Sequence, residues 1–598
     1  MPRKGGGRGK RNKIENEDEN DQGVLLTEET ADLVQKESSD GDGDSDGDSD
    51  EEDEDAYRLR VYGNQESTIV PSSSRSSSLR KLSKRLSKRF SQSLIRRRSS
   101  LVEALPDTPK GWMVLSCMTM SAILAYEVRL QKSLTKPPIT FCQLPSGSFV
   151  EKVFKQMTEE PSHESGTRIS SKILSRSIQP SLFIGTRGVI SSTAAYLGRG
   201  PSSETDYLRF REIFTMSQDG ARIAVDWEVR GRRQDKSGGK HSKRRLESQH
   251  IKQSVLNGPI RHPVVLILHG INNDSSFGYM KSLSRSFCNR GYISASMNFR
   301  GCGGLSLSTP RGYNAAYTGD LRSLVRQISA RLEKNVSIFL VGNSLGANIM
   351  TKYLGEEGMF GTLPKCISGA ASLGNPLLID SKVVRFPFNF LMALGVKKIF
   401  LENLRTIRGL NDSRSKEILK KGFLAPTISK FDNAIAPSMI RNNPHYPFET
   451  KIGYDDGEAY WFDASSYRYV RHISVPFLNI TAQDDFLVSK PSRNKLGFCL
   501  ANPNVMIVET RCGGHLGWHE TPPDSAFGAT SWADTAASEF FDAILNVDPE
   551  AMPMKSAKQI NTSAFEHDHS ASLESMHKKQ IEVKSEALAF AKTHISRL

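Results

Sequence analysis

The sequence predicts an α/β fold: a mostly parallel sheet with helices on both faces and a cap inserted over one sheet edge. Three observations carry the prediction. Between residues 205 and 545, short apolar runs alternate with amphipathic helical patterns, the texture of strands wound with helices. One run, residues 338–341, meets Gly-Asn-Ser-Leu-Gly and passes straight into a helical pattern. That reads as a strand, a tight turn with Ser344 at its tip, and a helix. Two later strands end in Asp484-Asp485 and, beyond a Gly-Gly turn, in His515. A nucleophile, an acid and a base therefore follow one another in chain order.

Composition places a folded body within a longer chain. Of 598 residues, 37% are hydrophobic, too few for one packed unit throughout. The net charge of +14 is laid down in blocks, acidic over residues 40–55 and basic over 75–98, so the overall pI says little about the body. No specific nucleic-acid partner is expected. The seven cysteines are scattered without a C-x-x-C pair, which argues against a zinc site and a disulfide framework. No metal and no cofactor is expected.

Residues 1–104 lack apolar periodicity over most of their length and read as a disordered tail. DGDGDSDGDSDEED spaces its carboxylates like a calcium loop, but Ser49 stands where an apolar anchor belongs and Asp53 where a bidentate Glu is usual. It reads as a low-complexity acidic tract. In the basic block, Leu79, Leu82, Leu86, Phe90 and Leu94 form one stripe on a cationic helix suited to anionic lipid. Ser78, Ser83 and Ser99 each follow a basic residue by three positions, a pattern open to kinase regulation. A plain basic linker reads equally well. Residues 111–126 are uncharged and apolar, short of the roughly 17–25 residues of a membrane span. The expectation over 105–130 is a membrane anchor, single-pass or monotopic, with a buried helix as the alternative.

Residues 131–204 form an N-terminal lead-in. Residues 210–230 read as two strands hinged at Asp219-Gly220. Residues 231–261, basic and Gly- and Ser-containing, read as a surface insertion. HPVVLILHG gives a buried strand ending at His269-Gly270, and YISASMNFRGCGG gives the next strand and its exit loop. This loop, with Thr309-Pro310-Arg311, Tyr313, Ala315, Thr318 and Asp320, resembles the abhydrolase-4 group of α/β-hydrolases. Within that group, GNSLGANIMTKYLGEEG is most similar to the plant embryogenesis-associated and YheT-like branch. The resemblance runs over about residues 205–545 and implies the α/β-hydrolase fold.

In that fold, one oxyanion amide comes from the loop after the His269 strand and the other from the residue after the nucleophile. Here these are the backbone N–H groups of Ile271 and Leu345, and His269 is a structural residue of the loop. Asp485 suits the acid by its phase. The family reads Asp-Asp-Pro where this chain has Phe486 in place of Pro, so Asp484 stays open as the acid. His515 matches the family's Gly-Gly-His, and His519, without that lead, is expected at the surface or behind the site. Residues 375–470 exceed what one strand and helix require and are assigned to the cap. Their apolar stretch, residues 386–404, lines an acyl pocket or packs on the core. Residues 531–545 form the closing helix, and 546–598 a tail ending in Ser596-Arg597-Leu598, a loose peroxisomal address.

The reading is a serine esterase or lipase acting on lipid or medium-chain acyl esters through Ser344, His515 and Asp485. An acyltransferase using the same acyl-enzyme is the alternative, and a catalytically silent membrane-associated scaffold the third reading. His269 and Asp274 show an H-x-x-x-x-D spacing, taken as coincidence.

Overall fold

The strand Val264–Leu268 shows how the architecture arises. Val264, Leu266 and Leu268 pack into a core on one side of the sheet, Val265 and Ile267 into a second core on the other. A strand apolar on both faces must be covered on both, and helices do this on each side. The computed structural model describes residues 109–159, 173–198, 206–231, 241–382, 384, 387–407, 413–488, 495–521 and 530–547. The acidic and basic blocks, the kinase motifs and the C-terminal Ser-Arg-Leu lie outside the described residues.

Before the sheet's centre come α1 (Pro109–Leu134), β1 (Ile139–Cys142), α2 (Phe149–Thr158), α3 (Gly188–Leu197), β2 (Tyr207–Thr215), β3 (Arg222–Arg230) and α4 (His241–Asn257). The central run is β4 (Val264–Leu268), α5 (Gly278–Asn289), β5 (Ile293–Met297), α6 (Gly319–Ser329), β6 (Ile338–Asn343), α7 (Leu345–Phe360) and β7 (Ile367–Leu373). The cap holds α8 (Phe388–Glu402), α9 (Ser413–Leu424), α10 (Ile428–Ile435), the short pair β8 (Ile440–Asn442) and β9 (Thr450–Ile452), and α11 (Gly457–Ala464). The chain then returns through β10 (Phe477–Ala482), β11 (Val505–Thr510) and α12 (Trp532–Asn546).

Nine strands form one sheet in the order β1-β11-β10-β7-β6-β4-β5-β3-β2. The six central strands are parallel, and β1, β3 and β2 join antiparallel at the two edges. The β2–β3 hairpin turns at Gly220, whose φ of 72° favours glycine. Aromatic stacking fixes the closing helix: Phe541 lies 4.4 Å from Phe339 of β6 and 5.3 Å from Phe287 of α5, centroid to centroid. Parallel strands bring the ends of β4, β6, β10 and β11 to one edge, beneath the cap.

Three expectations change. The basic stretch 231–261 contains helix α4, which the density of Lys and Arg hides; Val255 is buried in the core and Ile251 packs against it, four positions apart. The anchor segment is the first part of α1, and among the described residues no helix is long and apolar enough to cross a membrane. Its uncharged portion is interrupted by Ser116, Cys117, Thr119 and Ser121, and Glu127 and Arg129 then end it. Its outer half exposes Met113, Met118, Met120 and Tyr126, while Glu127 is buried in an ion pair with Arg187. The lead-in, finally, is part of the sheet and of the site: β1 pairs with β11, and α3 lies behind the His515 loop.

Candidate active site

Ser344 stands between β6 and α7 with φ 52° and ψ −116°, outside the regions a serine ordinarily adopts. Neighbours hold it there. Its N–H donates to Leu373 O at 2.8 Å, and its carbonyl receives the Asn348 amide at 3.1 Å. The turn is tight enough to need both glycines. A Cβ on Gly342 would lie 2.4 Å from Ala347 Cα, and one on Gly346 would lie 2.5 Å from His269 O.

His515 is buried, and its two ring nitrogens face two different partners. Nδ1 lies 2.8 Å from Asp485 Oδ2 and Nε2 lies 2.7 Å from Ser344 Oγ. A carboxylate only accepts, so Nδ1 carries the proton and Nε2 receives the serine hydroxyl. Asp485 Oδ1 accepts the amides of Leu487 and Val488 at 2.9 and 3.0 Å. Burial alone would raise the Asp485 carboxyl; the adjacent imidazole and the two amides instead hold it below the usual carboxylate range.

Asp484 turns the other way. Its Oδ1 accepts the Gly514 amide at 2.8 Å, and burial leaves its carboxyl above the ordinary range despite that bond. The geometry therefore brings Asp485, and not Asp484, to His515. The Phe486 ring lies 4.5 Å from that of Phe388 at the start of α8, centroid to centroid, which ties the Asp485 loop to the cap.

Ile271 and Leu345 both line the cavity that holds Ser344 and His515. The amides on either side of Ile271 are held by phenols, Gly270 N–H by Tyr279 at 3.0 Å and Asn272 N–H by Tyr313 at 3.1 Å. Those two bonds fix the loop through which Ile271 passes. His269 is fully buried beneath it, donating from Nδ1 to Gly270 O at 2.7 Å and accepting the Phe299 amide on Nε2 at 3.1 Å. Burial pushes its imidazole down to about 4. Asp274 caps its own turn through the Ser276 amide. The H-x-x-x-x-D pair is loop structure. His519 is set behind the site, bonded to Ser191 at 3.0 Å.

The cavity has a volume of about 140 Å³. Met392, Val396 and Phe400 of α8 and Phe431 and Ile435 of α10 form its apolar wall, so the cap helix lines a pocket as well as packing on the core. Phe390, Leu391, Leu394 and Leu401 on the other side of α8 are exposed. Among the described residues, no group of three His, Cys, Asp or Glu is placed to hold a metal ion.

Residue-by-residue reading missed α3. Ser192 Oγ accepts the His515 N–H at 2.6 Å and donates to Gly188 O at 2.7 Å. Gly514 fits so closely that a Cβ there would lie 2.1 Å from Gly188 O. The small-residue run GTRGVISS was the available signal. Reading also left Arg300 and Asp320 as motif letters. They form a buried pair at 2.6 Å, with Asp219 of the hairpin turn as third member at 2.5 Å, and hold the β5 exit loop.

Comparison with known proteins agrees with this architecture. Residues 263–522 match the model of the α/β hydrolase fold family. The embryogenesis-associated protein EMB8 of Picea glauca is 28% identical over 371 residues, covering 60% of this chain and 71% of that one. A monoacylglycerol lipase of Saccharomyces cerevisiae is 28% identical over 342 residues, 52% of this chain and 70% of that one. The phospholipase ABHD3 of Mus musculus is 28% identical over 326 residues, covering 52% and 67% respectively.

Proposed function

Residues 263–522 form a domain of the α/β-hydrolase fold, and on that premise we propose that the protein is a serine esterase cleaving lipid-like carboxylic esters through Ser344, His515 and Asp485. The observation that carries this reading is the chain of contacts Asp485–His515–Ser344, at 2.8 and 2.7 Å, opening into an apolar cavity. Relatives named as a monoacylglycerol lipase and a phospholipase support an acyl ester and disagree about its head group.

Ser344 Oγ attacks the ester carbonyl carbon while its proton passes to His515 Nε2. Asp485 holds the imidazole tautomer and stabilises the imidazolium. The backbone N–H groups of Ile271 and Leu345 stabilise the oxyanion, each donor of this kind being worth roughly 3–4 kcal/mol. Collapse expels the alcohol, which takes the proton from His515 and leaves an acyl group on Ser344. Water then attacks that carbonyl with His515 as base, releasing the acid and restoring the serine.

Active-site labelling tests the reading. A fluorophosphonate is expected to label the intact protein and to lose its site in Ser344→Ala, with kcat on a medium-chain ester falling roughly 10⁶-fold. Folded protein that is never labelled would remove the enzyme reading. Added alcohol separates hydrolase from acyltransferase, since exclusive transfer in place of hydrolysis assigns the transferase.

The membrane enters as partner on the same reading. The apolar half of α1 exposes Ile123 and Leu124, and the outer side of α8 exposes Leu391 and Leu394, each an apolar stretch suited to lying in a lipid interface without crossing it. Flotation with phosphatidylcholine vesicles checks this; protein that stays at the bottom of the gradient takes the membrane out of the reading.

A further inference from the structure

Resting on the serine-esterase reading, we propose that Asp432 forms a hydroxyl-binding subsite in the catalytic cavity, selecting esters that carry a free hydroxyl. The cavity wall is built largely from apolar side chains of α8 and α10, yet Asp432 stands in that wall with Phe431 and Ile435, lining the same cavity as Ser344 and His515. Among the described residues its hydrogen-bond partner is Trp461, whose Nε1 donates over a long 3.3 Å. The contrast with Asp463, also in the cap, is sharp. Asp463 is paired with Lys352 and receives the phenols of Tyr454 and Tyr469 at 2.7 and 3.0 Å. Asp432 makes no salt bridge among the described residues.

Asp432 is half-buried, and holding a carboxyl in an apolar wall with one long hydrogen bond is costly where an apolar residue of similar size would avoid the cost. A group kept under those conditions inside a reaction cavity is a candidate for ligand recognition. Two phenols complete the polar spot. Tyr313 and Tyr460 line the same cavity, and each phenol oxygen is held by a backbone amide, Asn272 at 3.1 Å and Ala315 at 3.0 Å. Burial pushes both phenols up, so each keeps its proton and can donate it. The anchored rings leave the carboxyl as acceptor for an incoming O–H, with phenols beside it to meet the hydroxyl oxygen. Burial also pushes Asp432 up to about 7, toward the neutral form, which bonds a hydroxyl and does not attract a cation.

The hydroxyl could belong to the alcohol half of the ester, as in a glycerol monoester, or to the acyl chain. Three esters of one chain length separate these: a monoacylglycerol, a plain ethyl ester and the ethyl ester of a hydroxylated acid. A choline ester serves as the cationic control. Rates are referred to active sites titrated with a fluorophosphonate, and the readout is the ratio of kcat/KM for each hydroxylated ester over the plain one. A site built to bond a hydroxyl discriminates strongly against its absence, so at least one ratio is expected to exceed 10 in the wild type. Asp432→Leu should bring it close to 1. Asp432→Asn, which keeps an acceptor of the same shape, should retain most of it. Whichever hydroxylated ester carries the ratio locates the hydroxyl on the alcohol or the chain side. If Asp432→Leu does not fold, Asp432→Ala reads the same ratio. A wild-type ratio near 1, a ratio that Asp432→Leu leaves in place, or a preference found for the choline ester instead overturns the subsite while leaving the esterase standing. Wild-type protein that takes neither probe nor ester overturns both.

Discussion

Asp484 and Asp485 are neighbours in sequence with opposite surroundings, and the difference is measurable. Asp485 bonds His515 Nδ1 and two amides, whereas Asp484 meets the Gly514 amide. Asp485→Asn replaces the acceptor that fixes the imidazole tautomer, so kcat should fall roughly 10⁴-fold. Asp484→Asn can still accept from Gly514 through its amide oxygen, and a loss within about tenfold is expected. Steady-state kcat on a soluble short-chain ester checks both, and the reverse order would move the acid role to Asp484. Asp432 differs again, because burial raises it to about 7. From roughly pH 4 to 7 the unfolded chain loses this proton while the folded chain keeps it. The folded state then binds more protons, and stability falls as pH rises through that window. Asp432→Asn removes the dependence, so its melting temperature relative to wild type should rise from pH 4 to pH 8. A constant difference across that range would show that Asp432 titrates normally.

At the scale of elements, what could be read beforehand was whatever is local. The elbow, the Gly220 hairpin and the Gly-Gly-His loop announce themselves through glycine punctuation and strand period over a few residues each. The chain order Ser344, Asp485, His515 followed from that. Helix α3 was not legible because its meaning lies in a contact between Ser192 and His515, 323 positions apart, and its own pattern is ordinary. Helix α4 was hidden by charge, and the cap's dual role by the fact that α8 is apolar on two sides. Helix α3 also yields a test. Ser192→Ala leaves the buried His515 N–H without its acceptor, at a cost of about 1–3 kcal/mol. Because the bond holds the loop that carries His515, the proposed base, kcat should drop about tenfold or more with KM little changed. Ser192→Thr, which retains the hydroxyl, should recover part of the rate. Equal thermal destabilisation in both variants with kcat untouched would reduce Ser192 to a packing residue.

For the whole molecule, the stretch that matches the family is shorter than the stretch that holds the Ser344, His515 and Asp485 cluster in place. The family match begins at residue 263, and Ser344, Asp485, His515, Ile271 and Leu345, the proposed triad and oxyanion residues, all lie within it. Yet the edge of β11 is covered by β1, through Ile139–Cys142, and the turn carrying His515 rests on Gly188 and Ser192. Behind these, Arg187 pairs with Glu127, and Gln131 Nε2 donates to Pro180 O at 2.7 Å, so the end of α1 is bound to the segment that leads into α3. An uncovered β11 would present a row of unpaired backbone groups, which favours association between chains. A chain beginning at residue 206 retains the whole family match but loses β1, α2 and α3. It should express as aggregating protein, or as soluble protein labelled by fluorophosphonate at least tenfold more slowly than the full chain. A chain beginning at residue 127 keeps all three elements and both α1 contacts, and it should label at the full-length rate. Equal labelling by the two truncations would make residues 127–205 dispensable, and the support for His515 would then have to come from within the family match itself.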